Sequence, residues 1–435
     1  MRVFLLFLKL FLAVGIVFAV GYLRTPFMAD VRGVLFLGVV VLGAGLIWLE
    51  ADSLRRGYLK KTKIISFLIV AIAGLGLVMA LGIEGRFNYI KQGVFNSEPA
   101  KLEKLGRHFI IGYRNFEELK LLVEKKAIGG VFITTRNVKG KSIEEIKQEI
   151  EILQAMRRSQ GLSPLWVAAD QEGGPVSRLS PPLVNLPALS QIVGGNKEGK
   201  KDAVIEYASL QGKGLAEMGV NLNLAPVVDL NKGIVNPNDK YSQIYRRAIS
   251  GDKNIVAEVA LWYCNTLEKY QVKCAIKHFP GLGKVEDDTH LQAAELQASL
   301  SELTADDWVP FRRLMIDSKA FVMLGHAKLM AVDSEYPVSF SQKVVAEMIR
   351  KDWGFDGVLI TDDFGMQAVY GSKDGLSGAV VKAVNAGVDL ILVSFDHDLY
   401  YPAMDALLKA AKAGVLEGGM LERSKKRLEE ATFFY

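Results

Sequence analysis

Residues 357–363 read Gly-Val-Leu-Ile-Thr-Asp-Asp, a short apolar run that ends on two acids. A run without polar alternation suits a strand buried on both faces, and such strands belong to parallel sheets. Seven similar runs occur at residues 109–111, 130–134, 165–169, 222–228, 274–278, 321–325 and 390–393. Helical patterns lie between them at 143–158, 202–217, 253–269, 308–317, 342–352 and 377–385, with a last one over 402–430. Strands alternating with helices predict parallel strands joined by helical crossovers. Eight such units favour a closed (β/α)8 barrel of the TIM type over a doubly wound sheet. No Gly-x-Gly-x-x-Gly turn follows the first strand, which speaks against dinucleotide binding.

In such a barrel the chemistry sits on the loops that follow the strands. The third strand runs into Asp170-Gln-Glu-Gly-Gly-Pro-Val-Ser-Arg178, the fourth into Pro226-Val-Val-Asp229, and the fifth into Lys277-His278-Phe-Pro-Gly-Leu-Gly283. An acidic loop, Glu286-Asp-Asp-Thr-His290, follows. The sixth strand ends on Gly325-His326 and the seventh on Asp362-Asp363. Charged and imidazole groups gathered at one end of a barrel suggest a site for a polar small molecule. Blander roles are available for some of them: Asp229 as a structural acceptor, His326 as a support, Glu172 and Arg178 as a surface ion pair.

Two features carry the most chemistry. Neighbouring residues of a strand point to opposite sides, so only one of Asp362 and Asp363 faces the site. An ionised carboxylate there suits a nucleophile toward an electrophilic carbon. In Asp288-Thr289-His290 a bent loop brings carboxylate to imidazole, which orients the ring and makes it a general acid/base. No His-x-His or acid set at metal-ligand spacing accompanies these residues, so neither a metal nor a cofactor is expected.

The first 83 residues differ in kind. Apolar stretches cover 4–23 (interrupted by Lys9), 34–49 and 64–83, each near the ~20 residues that cross a bilayer core. Two to three transmembrane helices are expected, with Lys9 snorkelling toward the headgroups. A cleaved leader is the competing reading of the first stretch, but residues 17–24 offer no clear small-x-small site. The loop 51–63 carries Arg55, Arg56, Lys60, Lys61 and Lys63, and the positive-inside rule places it in the cytoplasm. Everything after Glu84 then lies outside. The expected organisation is a membrane region over 1–83, a linker over 84–102 and a catalytic barrel over 103–435.

Composition agrees. The formal charge of the 435 residues is +5, but residues 1–83 hold nine Lys/Arg against three Asp/Glu, and the remainder is slightly acidic. A basic stripe for nucleic acid is therefore not indicated. Two cysteines, Cys264 and Cys274, exclude a disulfide scaffold and fit a packed core better than a bridge.

Taken together, Asp170-Gln-Glu-Gly-Gly, Lys277-His-Phe-Pro-Gly, Asp288-Thr-His290 and Gly354-Phe-Asp-Gly-Val…Thr361-Asp-Asp resemble glycoside hydrolase family 3. The likeness covers residues 103–435 and is strongest to its single-domain bacterial β-N-acetylglucosaminidases. It implies a retaining mechanism on terminal non-reducing β-linked N-acetylglucosamine, with peptidoglycan fragments as the expected source. Asp362 then matches the nucleophile, His290 the acid/base and Asp288 its dyad partner. Asp170, Arg178, Arg247, Lys277 and His278 match the residues that hold the sugar. Departures at Pro175, Ile249, Leu282 and Lys284-Val285 bear on the aglycone side and the loop. A β-glucosidase, a phosphorylase or a non-catalytic membrane-tethered carbohydrate binder are the alternatives. The expected partners are a carbohydrate substrate and the lipid bilayer; the sequence is silent on oligomeric state.

Overall fold

A computed structural model of the chain describes residues 2–55, 60–195 and 200–432. The chain divides into two compact units, Met1–Asn96 and Ser97–Tyr435.

The first unit is helical: α1 (Arg2–Tyr22), α2 (Arg32–Arg55) and α3 (Lys60–Phe95). All three are long and apolar enough to cross a membrane, by length and composition. Phe4, Phe11 and Phe18 of α1 recur every second turn and are more than two-thirds exposed, as a lipid-facing stripe would be. Ala13, Ile16, Val20, Val39, Leu46, Ile69 and Ala73 pack inside. Small residues let the helices approach: a Cβ at Gly43 would sit 2.9 Å from the Leu77 side chain, and one at Gly76 would sit 2.7 Å from Ile16.

Two expectations change here. Lys9 does not snorkel; its ammonium pairs with Glu50 of α2 at 2.5 Å. A charge in an apolar bundle is far less costly beside its counter-ion than alone, and Glu50 is fully buried. Residues 84–95, read as linker, are the last turns of α3. Arg24 Nε donates to Glu84 there at 2.9 Å, and its guanidinium lies 3.5 Å above the Phe87 ring. Of the basic loop, residues 56–59, with Arg56, lie outside the described residues; its two flanks are helical.

The second unit is a closed barrel of eight parallel strands. They are β1 (Phe109–Ile111), β2 (Gly130–Ile133), β3 (Trp166–Ala169), β4 (Leu222–Asn223), β5 (Lys273–Phe279), β6 (Phe321–Leu324), β7 (Leu359–Asp363) and β8 (Leu390–Val393). Their order around the barrel follows the chain, and Phe109 opposite Ile391 closes the ring. All eight apolar runs of the sequence are thus barrel strands. β4 is shorter than its apolar run because Pro226 has no N–H to give to a ladder. Beyond it Val227 makes a single bridge to Lys277.

Ile110, Phe132, Ala168, Leu222, Leu224, Ala275, Met323, Ile360, Leu390 and Leu392 fill the interior. This parity matters for the site. Asp170 lies two residues past Ala168, Lys277 two past Ala275 and Asp362 two past Ile360, so each continues an inward-facing row.

The opposite end of the barrel is locked by charge. Asp389, fully buried, accepts from Arg350 Nη2 at 2.6 Å, from Arg427 Nε at 2.9 Å and from Leu359 N at 2.8 Å. Those contacts fasten the helices Lys343–Asp352 and Gly418–Ala431 beneath β7 and β8. Cys264 and Cys274 are buried free thiols.

Candidate active site

The two acids that end β7 do different work. Asp363 is tied into the backbone: it accepts from Gly365 N at 2.8 Å, Phe395 N at 2.9 Å and Ser394 Oγ at 2.5 Å. Among the described residues Asp362 accepts only from Asp363 N, at 2.8 Å, which leaves its carboxylate turned to the barrel mouth. Burial raises its pKa, but the imidazoles of His278, His326 and His290 outweigh that effect and lower it to about 2. His326 is buried and fixed at both ring nitrogens. Nε2–H donates to the Asp363 carbonyl at 3.0 Å, and Nδ1 accepts from Ser339 Oγ at 2.8 Å. Burial chiefly lowers its pKa.

Beside Asp362 lies a charged cluster from β3 and β5. Lys277 Nζ donates to Asp170 and to Glu172, each at 2.7 Å. Burial works against its charge, yet the two carboxylates prevail and raise its pKa. Arg247 grips Glu172 with two bonds, Nη2 at 2.6 Å and Nε at 3.0 Å. Glu172 is buried, which alone would raise its pKa; Arg247 and Lys277 bring it down to about 2. Glu172 therefore does not pair with Arg178 at the surface. The turn after β3 folds back through Gly173 and Gly174, at φ of 92° and 61°, and turns Glu172 inward. Arg178 is left exposed, its backbone N donating to the Asp170 carbonyl at 3.0 Å.

His278 is aimed by Asp229. The carboxylate accepts from His278 Nδ1 at 2.7 Å, from its backbone N at 3.1 Å and from Leu282 N at 2.7 Å. Nδ1 thus carries the proton, and Nε2 accepts from Arg247 Nη2 at 3.4 Å. Leu282, a departure from the family pattern, serves here through its backbone.

The acid/imidazole loop closes the site. Asp288 accepts from His290 Nδ1 at 2.8 Å and from its backbone N at 3.0 Å. Nδ1 is therefore the protonated nitrogen, which leaves Nε2 to take and give a proton. Burial opposes the Asp288 charge, but the His290 bonds and charge, with the Tyr241 N–H, hold its carboxyl well below the usual carboxylate range. The loop docks beside β7. Gln367 N donates to the His290 carbonyl and Ala368 N to the Thr289 carbonyl, both at 3.2 Å. His290 and Asp362 consequently share one end of the barrel.

Three contributors escaped the sequence. Ser242 Oγ donates to Asp288 at 3.1 Å, Tyr241 N donates to it at 3.0 Å, and Glu172 anchors both Lys277 and Arg247. Charge balance would have found Glu172, since two inward cations need more than Asp170. Residues 231–243 carry no periodic pattern, so nothing marked Ser242 or Tyr241.

A carboxylate kept ionised, an imidazole held by its own carboxylate, and a ring of charged hydrogen-bonding groups suit cleavage of an acetal in a polyhydroxylated molecule. The barrel and this site define a glycosidase acting on O-glycosyl bonds. The model of the glycosyl hydrolase family 3 N terminal domain matches residues 95–431, and the chain belongs to that family. It is 33% identical over 294 residues to a beta-hexosaminidase of Neisseria meningitidis serogroup C, covering 67% of this chain and 78% of the relative. Among solved structures it resembles a family 3 beta-N-acetylglucosaminidase from Paenibacillus, with TM-score 0.69 and 28% identity over 76% of this chain and 61% of that one. A family 3 glycosyl hydrolase of Mycobacterium smegmatis matches with TM-score 0.68 and 26% identity, over 78% of this chain and 99% of that one.

Proposed function

We propose that the protein is a retaining β-N-acetylhexosaminidase that removes terminal non-reducing β-linked N-acetylglucosamine, with peptidoglycan fragments as substrate. The observation that carries this reading is the docking of the 288–290 loop beside β7, which sets the His290 imidazole over the same barrel mouth as the Asp362 carboxylate. Asp362 attacks the anomeric carbon as His290 gives its proton to the glycosidic oxygen, and the C–O bond to the aglycone breaks. The sugar is then held as an ester of Asp362. Water, deprotonated by His290, attacks the same carbon and frees the carboxylate. Asp288 holds the His290 tautomer throughout. Asp170, Lys277, His278, Arg247 and Arg178 bind the hydroxyls of the reacting sugar. The names of the relatives support the hexosaminidase specificity.

The full-length protein should cleave GlcNAc–anhydro-muramyl fragments and aryl β-GlcNAc glycosides with kcat/KM about 10²-fold above aryl β-glucosides. Better turnover of the glucosides would overturn the specificity, and GlcNAc 1-phosphate as the main product in phosphate buffer would make the enzyme a phosphorylase. The basic residues flanking 56–59 support a cytoplasmic loop and a catalytic unit outside the membrane. A reporter fused after Tyr435 that matures only outside the cytoplasm should be active. Activity of a cytoplasm-only reporter at that position would reverse the topology.

A further inference from the structure

We infer that Tyr241 is the platform on which the leaving-group sugar rests. This deepens the proposed function and rests on His290 being the acid/base. Tyr241 is 56% exposed although it lies within the loop that holds the dyad. Its ring centroid is 5.4 Å from that of His290, the planes tilted by 44°. Its own N–H bonds Asp288 at 3.0 Å, and the flanking Lys240 N and Ser242 Oγ bond the same carboxylate at 3.2 and 3.1 Å. Farther along, Asn236 Nδ2 donates to the Glu286 carbonyl at 2.7 Å. The backbone that carries Tyr241 is thus tied to the acid/base loop.

Proton delivery fixes where the leaving group must lie. His290 reaches the glycosidic oxygen from the side opposite Asp362, so whatever is attached to that oxygen lies against the outer flank of the imidazole. Tyr241 is the exposed aromatic ring next to that imidazole. An exposed tyrosine offers an electron-rich face, and a pyranose ring presents axial C–H bonds that suit it. Exposed apolar surface beside a reacting centre has a use when a ring covers it.

The test compares two substrates of the full-length protein whose leaving groups both need the proton of His290: N,N′-diacetylchitobiose, whose leaving group is a sugar, and the methyl β-GlcNAc glycoside, whose leaving group has no ring. The readout is the ratio of their kcat/KM values. Tyr241→Ala should lower the disaccharide-to-methyl-glycoside ratio roughly tenfold, and Tyr241→Phe should keep it near wild type. An unchanged ratio in Tyr241→Ala would overturn the inference, as would an equal fall on both substrates, which would mean that the residue acts only by placing His290. A ratio in Tyr241→Phe as low as in Tyr241→Ala would assign the effect to the hydroxyl and overturn stacking. Should the wild-type protein cleave neither substrate, the hexosaminidase reading itself falls, and that result is seen before any variant is made.

Discussion

Replacing Asp362 with glycine should lower turnover of an aryl β-GlcNAc glycoside on the order of 10⁴-fold or more, the scale of losing a covalent nucleophile. At about 1.4 kcal/mol per factor of ten, that is at least ~5 kcal/mol of transition-state stabilisation. The fold should survive, because Asp362 accepts one hydrogen bond, whereas Asp363 carries the contacts to Gly365, Ser394 and Phe395. Asp363→Ala is the contrasting variant, expected to cost stability by about 1–3 kcal/mol through the loss of three hydrogen bonds. Azide adds a stereochemical check. In the glycine variant it enters the face vacated by the carboxylate, so an activated β-glycoside yields the α-azide in one inversion. Normal turnover, or a β-azide from this variant, would remove Asp362 from the nucleophile's role. The pH dependence has a definite sign. A pKa lowered to about 2 keeps the carboxylate charged at every higher pH, so titration of Asp362 should not limit the rate until the pH falls near that value.

The barrel was legible because parallel strands hide both faces and read as unbroken apolar runs, and the acids that stop those runs fall at one end by topology. The parity within β7 was legible too. Alternation required Asp362 and Asp363 to part company, and the bonds of Asp363 to Ser394 and Phe395 show which one turned away. What resisted reading was pairing across distance. Glu172 and Arg247 are 75 positions apart, and nothing local told that the acid would take Arg247 and Lys277 rather than its near neighbour Arg178. The N-terminal helical unit repeats that lesson, with Lys9 finding Glu50 on another helix.

Those distant pairs form one connected chain. Lys277 meets Glu172, Glu172 meets Arg247, and Arg247 Nη1 donates to the Ser242 carbonyl at 2.8 Å. Ser242 Oγ then bonds Asp288, which holds His290. The groups assigned to the sugar and the group assigned to the proton are thereby joined through one run of ion pairs and hydrogen bonds that passes through Ser242. Such a network holds each member more firmly than separate pairs would. It also predicts non-additive effects when Arg247 and Asp288 are changed together.

His290→Ala tests the other half of the mechanism, and its signature is which step slows. With a disaccharide the leaving alkoxide needs the proton, so kcat/KM should fall about 10²- to 10⁴-fold, the range for a general acid. With a dinitrophenyl glycoside the leaving group departs unaided, and the first step should proceed near the wild-type rate. Hydrolysis of the ester on Asp362 still needs a base to activate water, so the intermediate should accumulate and dinitrophenol should appear as a burst of one equivalent. Azide, which needs no base, should then restore turnover and give the β-azide, opposite in configuration to the product of the Asp362→Gly variant. Asp288→Asn should follow the same pattern more weakly: the amide can keep Ser242 and Tyr241 as neighbours but cannot balance the imidazolium. A His290→Ala enzyme that handles the disaccharide at full rate, or that shows neither burst nor azide rescue with the activated glycoside, would mean that the proton comes from another group. Arg247 is the nearest charged donor to His278, but as a guanidinium it cannot release a proton at neutral pH. Asp170 is held by Lys277 at 2.7 Å. His278 also has a carboxylate on Nδ1, Asp229 at 2.7 Å, but its Nε2 faces Arg247 Nη2 at 3.4 Å. His290 has Asp288 on Nδ1 and, among the described residues, an Nε2 left to carry the proton in and out.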